Sequence, residues 1–474
     1  MLFNSSVFLL LLAITFFLYY QKWLLRYQVM ILIISSLVFY AYNNPSLLIL
    51  LLFSAGINVT SSYYVAYGNP ANRKAIATAG VVFNLLVLAF FKYSPLIART
   101  LFNEHSSVGE FLLTIPLPIG ISFYTFEGIS LLVDVFKEKK GEGQEESLAN
   151  ISYKEHAQRT LFFISFFPHL VSGPILKAHD FLPQVKTKFF KDIDWIKCFK
   201  QLTLGYFLKM VVADNLKDYT FNITYPYFEN YTAITLITLL IGYSCQIFAD
   251  FAGYSLIAIG LAQLFGYNLI NNFNFPYISS SFQEFWKRWH ISLSSFLMEY
   301  LYFPLGGNRK GKVRTYINLM ITMFLGGLWH GAAWSYAVWG LVHGAALAIE
   351  RLFKDSKGKK ISTPGPVTIF FKRIMVFCVV TFAWLFFKLP DFSQVVEFVR
   401  TIGNNMSLSF YSKLCYNVLL YSSPVFLFHA VYLMRRNEKF NRSFEKYSYI
   451  LYGIMLFLLL TNSGSSGSFI YFQF

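Results

Sequence analysis

Residues Gly326–Trp334 read GGLWHGAAW, and the chain on both sides of them is apolar. Windows of about 17 to 25 predominantly apolar residues are long enough to cross a bilayer as helices. The stretches 315–330 and 331–350 are therefore read as two spans that meet at this motif. A cationic side chain near the bilayer centre costs about 2.5 to 3.5 kcal/mol on insertion scales. His330 is thus expected to be neutral, and a neutral imidazole can accept a proton. The residues alone leave two readings open. One is a general base. The other is a packing histidine bonded to a neighbouring helix, with Trp329 and Trp334 in an interfacial aromatic belt and the glycines permitting close helix approach.

The rest of the chain supports a membrane setting. Of 474 residues, 55% are hydrophobic and 20% aromatic, against only 14% charged. The mean hydropathy is +0.48, which excludes an ordinary soluble class. Further apolar windows lie near 1–21, 29–43, 45–67, 75–98, 111–133, 158–176, 198–216, 231–249, 250–266, 366–389, 415–434 and 447–462. Several are short or broken, so roughly 11 or 12 true spans are expected. The fold class is all-α and polytopic, with a single membrane domain over 1–474 and its polar core region at 246–344. The first apolar run is followed, not preceded, by Lys22 and Arg26, which fits a retained helix better than a signal peptide.

The net charge of +16 does not call for nucleic acid. The basic residues lie between spans, at Arg73 and Lys74, Lys287 and Arg288, Arg309 to Arg314, Arg351 to Lys360, and Arg435 to Lys446. The positive-inside rule places these loops in the cytoplasm, and the N-terminus, 217–230, 390–413 and the C-terminal tail outside. Cys198, Cys245, Cys378 and Cys415 have no CxxC spacing, and no HExxH occurs, so neither a disulfide framework nor a metal site is expected.

Two kinds of departure from plain spans mark candidate sites. Residues 115–136 and 166–184 are apolar but carry Pro and Gly, so they read as kinked or re-entrant pieces whose freed backbone groups line a cavity. The region 246–344 is unusually polar for its hydropathy. There His290, in FWKRWHISLS, is either an interfacial anchor or the mouth of a tunnel that leads to His330. His169 and His343 could line a cavity, His429 reads as packing, and His105, His156 and His179 as loop residues. The sequence GGNRKGKV at 306–313 misses a P-loop because Val313 replaces the hydroxyl and no strand precedes it. Its Arg309, Lys310 and Lys312 either set topology or attract an anionic ligand. Glu127 and Asp134 are seven apart, and Asp250 follows Gln246 by four, so each pair shares a helix face. These carboxylates are expected to pair with Lys or Arg or to orient a histidine ring.

Three motifs in order, QIFADFAGYSLIAIGLAQLFGYNLINNFNFPY, FWKRWHISLSSFLMEYLYFPLGGNRKG and FLGGLWHGAAWSYAVWGLVHG, resemble the membrane-bound O-acyltransferase family in its bacterial branch, which acetylates alginate and peptidoglycan. ISFYTFEGISLLVDVF, FFPHLVSGPI and the final FIYFQF extend the likeness over nearly the whole chain, although Glu127 stands where relatives usually carry Gln. The resemblance implies a ring of tilted helices with re-entrant segments around a central tunnel. It implies His330 as the catalytic histidine and His290 as its supporting partner. Asp250, Gln246, Trp329, Glu127 and His169 would line or support the tunnel, and Arg309, Lys310 and Lys312 would stand at the donor mouth. It further implies acetyl-CoA as donor substrate, no permanently held cofactor, a periplasmic SGNH or esterase-like acetyltransferase partner, and a bacterial inner-membrane location. The acceptor would be a cell-surface polysaccharide, peptidoglycan first and alginate-like exopolysaccharide second. The alternatives are D-alanyl transfer to teichoic acid from a carrier protein, and a non-enzymatic saccharide transporter or flippase. The absence of a visible internal repeat argues against the transporter.

Overall fold

The computed structural model describes residues 1–102, 105–138, 151–171, 173–356, 365–407, 411–465 and 467. No strand occurs among them. Seven helical segments among the described residues are long and apolar enough to span a membrane. The chain is therefore an all-α, multi-pass membrane protein. The final FIYFQF and part of the polar stretch before Arg159 lie outside the described residues.

The chain divides into two compact units, the first comprising 1–201 and 257–270 and the second 202–256 and 271–474. The first unit begins with α1 (Ser6–Tyr19), α2 (Gln28–Ala41), α3 (Ser46–Tyr67) and α4 (Arg73–Leu101). It continues through α5 (Ile121–Lys137), α6 (Tyr153–Ser165) and the start of α7 (Trp195–Tyr206). The Ser5 hydroxyl caps α1 by accepting from the Phe8 amide at 3.2 Å. Ser152 does the same for α6, at the Glu155 amide. Helix α5 is buried at every position from Ile121 to Leu132, which fits a sequence that, Glu127 apart, is apolar, aromatic or small on all sides. Two polar side chains in this core pair with each other. Asn58 of α3 and Asn84 of α4 exchange side-chain amide hydrogen bonds of 3.1 and 2.8 Å, the interhelical polar contact that apolar surroundings favour.

Two expectations need correction here. The interruption at 115–136 is confined to 115–120, where Pro116, Pro118 and Gly120 stand, and 121–137 is one continuous helix. His156 is not a loop residue: it lies on α6, is buried, and meets the Ser62 hydroxyl at 2.8 Å. The second interruption is as broad as expected. Helix α6 stops at Ser165, one turn covers Phe167–Leu170, and a non-helical run precedes the turn Ala178–Phe181.

Helix α8 (Ala233–Leu264) is buried along most of its length. The second unit holds its part up to Leu256. In this unit α9 (Phe282–Arg288) and α10 (Ile291–Leu297) are short, and α11 (Gly311–His330) and α12 (Trp334–Ser356) form a helical hairpin. Helices α13 (Pro366–Ala383), α14 (Phe392–Asn404), α15 (Ser412–Met434) and α16 (Glu438–Thr461) follow. Helix α14 falls within the stretch expected to be an outward loop. It folds because Val395 and Phe398 are buried on one face, with Phe398 packed on Phe228 at 5.2 Å between ring centroids.

The α11–α12 hairpin is closed by glycines. A Cβ on Gly327 would lie 2.2 Å from the Tyr336 carbonyl oxygen, and one on Gly340 would lie 2.2 Å from the Met323 carbonyl oxygen. Only residues without a Cβ let these two backbones touch, and the contact lies one turn from His330.

Candidate functional site

Helix α9 starts with a side-chain clamp. The Ser281 hydroxyl accepts from the Glu284 amide at 3.0 Å, and Glu284 in turn accepts from the Ser280 amide and hydroxyl at 2.8 and 2.9 Å. Arg288, one turn on, donates to the same carboxylate at 3.0 Å. Burial alone would raise the Glu284 carboxyl's pKa, but the Ser280 hydrogen bonds and the Arg288 charge outweigh it and hold the carboxyl below its ordinary range. Glu350 of α12 accepts from the Phe282 and Gln283 amides at 2.6 and 3.2 Å, tying the start of α9 to that helix.

Helix α9 ends at Arg288, and after extended Trp289 His290 takes a left-handed backbone conformation with φ 42° before α10 begins. Asn272 braces this turn. Its side-chain oxygen accepts from the Ser292 amide and hydroxyl at 3.2 and 2.6 Å, and its carbonyl accepts from the Ile291 amide at 2.9 Å. The His290 ring is fully buried, 4.6 Å from Phe251 of α8 and nearly perpendicular to it. His290 and Trp289 are therefore interior residues, not interfacial anchors, whereas Lys287 is exposed.

His330 closes α11 and is 2% exposed. Its ring lies 6.2 Å from that of His290, with Trp329 against both, at 5.0 and 5.8 Å. Trp339 at 5.1 Å and Phe387 at 5.0 Å complete the surround. Trp329 is thus an interior residue, not a belt residue, whereas Trp334 is 51% exposed. Trp384 bridges Trp289 at 4.9 Å and Trp339 at 5.6 Å. His343, one turn beyond Trp339 on α12, is also fully buried. Three histidines therefore stand in one aromatic wall within the second unit.

The other sequence candidates make contacts of their own. Gln246 and Asp250 lie one turn apart on α8, as their spacing required. Gln246 accepts from the Thr220 hydroxyl. Asp250 and Asp214 both accept from the Lys209 ammonium at 2.7 Å, and all three side chains are at most 4% exposed. Lys209 reaches them from Phe207–Ala213, where the helix widens into a π-helix, a local geometry frequent at functional sites. In the first unit, Glu127 and His169 stand 2.8 Å apart with both side chains fully buried. That is ion-pair distance, although the angles fall outside hydrogen-bond geometry. Asp134 meets His179 at 2.9 Å. Of the two expected roles for these carboxylates, Asp250 pairs with a lysine, and Asp134 and Glu127 each stand beside a histidine. Arg309, Lys310 and Lys312 are exposed around the turn that opens α11.

His343 was marked from sequence only as a cavity candidate, and Trp339, Trp384, Phe387 and Lys209 were missed. A usable signal existed for one of them, since Trp339 and His343 are four apart and so share a helix face.

The buried His330–His290 pair lies within the stretch that carries the three ordered motifs. The membrane-bound O-acyltransferase family model matches residues 2–390. The chain belongs to the membrane-bound O-acyltransferase family. It is an O-acyltransferase. Over 400 residues it is 37% identical to the probable alginate O-acetylase AlgI of Pseudomonas aeruginosa, spanning 82% of this chain and 72% of that one. It is 32% identical over 430 residues to the peptidoglycan O-acetyltransferase of Helicobacter pylori, spanning 83% and 80% of the two chains. It is 26% identical over 339 residues to the teichoic acid D-alanyltransferase of Bacillus subtilis, spanning 69% and 81%.

For an O-acyltransferase this arrangement has a direct chemical use. A neutral imidazole offers one acceptor and one donor, and aromatic walls keep competing water from an activated acyl group.

Proposed function

We propose that this O-acyltransferase moves an acetyl group from cytoplasmic acetyl-CoA to hydroxyls of a cell-surface polysaccharide. His330 is the reacting residue and His290 its support. The observation that carries the reading is the buried His330–His290 pair at 6.2 Å inside a wall of tryptophan and phenylalanine rings. In the direct route, His330 takes the proton of the acceptor hydroxyl as its oxygen attacks the thioester carbonyl carbon. The carbon–sulfur bond breaks, and the departing thiolate receives the proton. In the relayed route, His330 itself carries the acetyl group between two such transfers. Peptidoglycan is the first acceptor to assay and an alginate-like polymer the second. The peptidoglycan relative is matched over the larger share of its own chain, and the alginate relative at higher identity.

The protein works in the bacterial inner membrane beside a periplasmic esterase-like transferase that completes delivery to the polymer. Exposed Arg309, Lys310 and Lys312 attract the anionic donor. Reconstituted protein given radiolabelled acetyl-CoA, the periplasmic transferase and soluble peptidoglycan or alginate fragments should move label to the polymer, and His330→Ala should abolish that transfer. A well-folded His330→Ala that transfers at the wild-type rate overturns the assignment. Transfer of D-alanine from a carrier protein, with indifference to acetyl-CoA, overturns the donor.

A further inference from the structure

One cluster in the second unit carries polar atoms that protein packing does not satisfy. The rings of His343, Trp286 and Trp339 touch one another, with centroids 4.7, 5.1 and 5.6 Å apart. His343 is fully buried, Trp339 is 1% exposed, and the indole nitrogen of Trp286 is buried as well. Among the described residues, neither ring nitrogen of His343 and neither indole nitrogen has a hydrogen-bond partner. Leaving one buried polar group unmade costs about 1 to 3 kcal/mol. Packing alone does not account for several such groups in one place, especially where His343 already lies parallel to Phe285 at 6.0 Å.

The chemistry of the cluster selects its ligand. An indole nitrogen only donates, and a neutral imidazole donates once and accepts once. The cluster therefore offers three N–H donors against one acceptor, a match for carbonyl oxygens with a single N–H among them. Its position selects further. Trp339 touches both His343 and His330, at 4.7 and 5.1 Å. His343 lies on the side of Trp339 that leads along α12 towards Arg351 and the basic, cytoplasmic end. A thioester at His330 would trail its carrier past this cluster. In a pantetheine-type arm, two methylene groups separate the sulfur from the first amide nitrogen, about 4 Å by standard bond lengths.

We propose that His343, Trp286 and Trp339 form a carbonyl-binding subsite for the amide-bearing arm of the acyl thioester. His343 is its positioning residue, and this rests on the thioester-donor reading above. The subsite recognises the arm and leaves the acyl group to His330.

The test compares kcat/KM for acetyl-CoA, S-acetyl-N-acetylcysteamine, which keeps one amide, and S-ethyl thioacetate, which has none. The proteins compared are wild type, His343→Leu, His343→Gln and Trp286→Phe. His343→Leu and Trp286→Phe are expected to lower the values for the two amide-bearing donors by about 2- to 10-fold more than for the amide-free donor, mostly through KM. His343→Gln, which keeps a donor and an acceptor, should recover part of the loss. Equal penalties on all three donors overturn the subsite. If His343→Leu does not accumulate in the membrane, Trp286→Phe carries the same comparison, because it deletes one N–H and keeps a ring. Wild type that uses S-acetyl-N-acetylcysteamine but not acetyl-CoA overturns the donor reading alone. Wild type inert towards every thioester overturns both.

Discussion

Replacing Gly327 by Ala tests how tightly His330 is placed. The added Cβ would lie 2.2 Å from the Tyr336 carbonyl oxygen, whereas carbon and carbonyl oxygen ordinarily approach to about 3.3 to 3.6 Å. Both atoms belong to helix backbones, so relief requires α11 and α12 to part by about 1 Å at this crossing. Overpacking of this kind costs about 1 to 3 kcal/mol, and the better helix propensity of Ala returns at most about 1 kcal/mol. The protein is therefore expected to fold with modestly reduced stability. Its activity should fall much further. The displaced crossing lies one turn from His330, which touches Trp339 across the same hairpin, and a misplacement of about 1 Å can cost about 100-fold in rate. The assay is acetyl transfer from labelled acetyl-CoA by detergent-purified protein that elutes as a single species. Gly453→Ala serves as control, because nothing stands within 4 Å of a Cβ there. A Gly327→Ala protein with transfer within twofold of wild type would refute the argument that the glycine contact sets the histidine's position.

Three further outcomes follow from the paired charges. Lys209→Met removes the cation that both Asp214 and Asp250 accept from. A loss of about 3 to 5 kcal/mol is expected, read as a drop in the thermal midpoint, and adding Asp214→Asn with Asp250→Asn should recover most of it. Glu127→Gln keeps a hydrogen-bonding group within reach of His169 and should unfold close to wild type, whereas Glu127→Leu should lose about 1 to 3 kcal/mol. Because the folded carboxyl of Glu284 titrates below its ordinary range, it contributes stability at pH values above the unfolded value of about 4.3 and loses it as pH falls through the folded value. The thermal-midpoint gap between wild type and Glu284→Gln should thus be open at pH 7 and close in acid; a gap that widens on acidification would overturn the sign.

The sequence made the spans legible because bilayer thickness imposes a length that composition reveals. It marked His330 and His290 because polar groups are scarce in such surroundings. It exaggerated the interruption after residue 115, since Pro and Gly break a helix only where they stand and residues 121–136 contain no proline. The Lys209 network escaped because Lys209 lay inside a window read as a plain span, and its partner Asp250 is 41 positions away, a separation that no helical period encodes. Phe387 and Trp384 escaped for a related reason: aromatic residues are common throughout this chain, and only tertiary packing distinguishes Phe387, which faces His330, and Trp384, which packs behind it.

The left-handed backbone at His290 bears on how the site is interrogated. Left-handed geometry costs an ordinary L residue about 1 to 2 kcal/mol, while Gly and Asn enter it with little resistance. An alanine at this position would delete the ring and also press the turn after Trp289 to relax, dragging Ile291 and Ser292 away from Asn272. Its phenotype would mix two causes. Asparagine keeps the turn and removes only the imidazole, so at this position the informative substitution is the one the backbone already accepts.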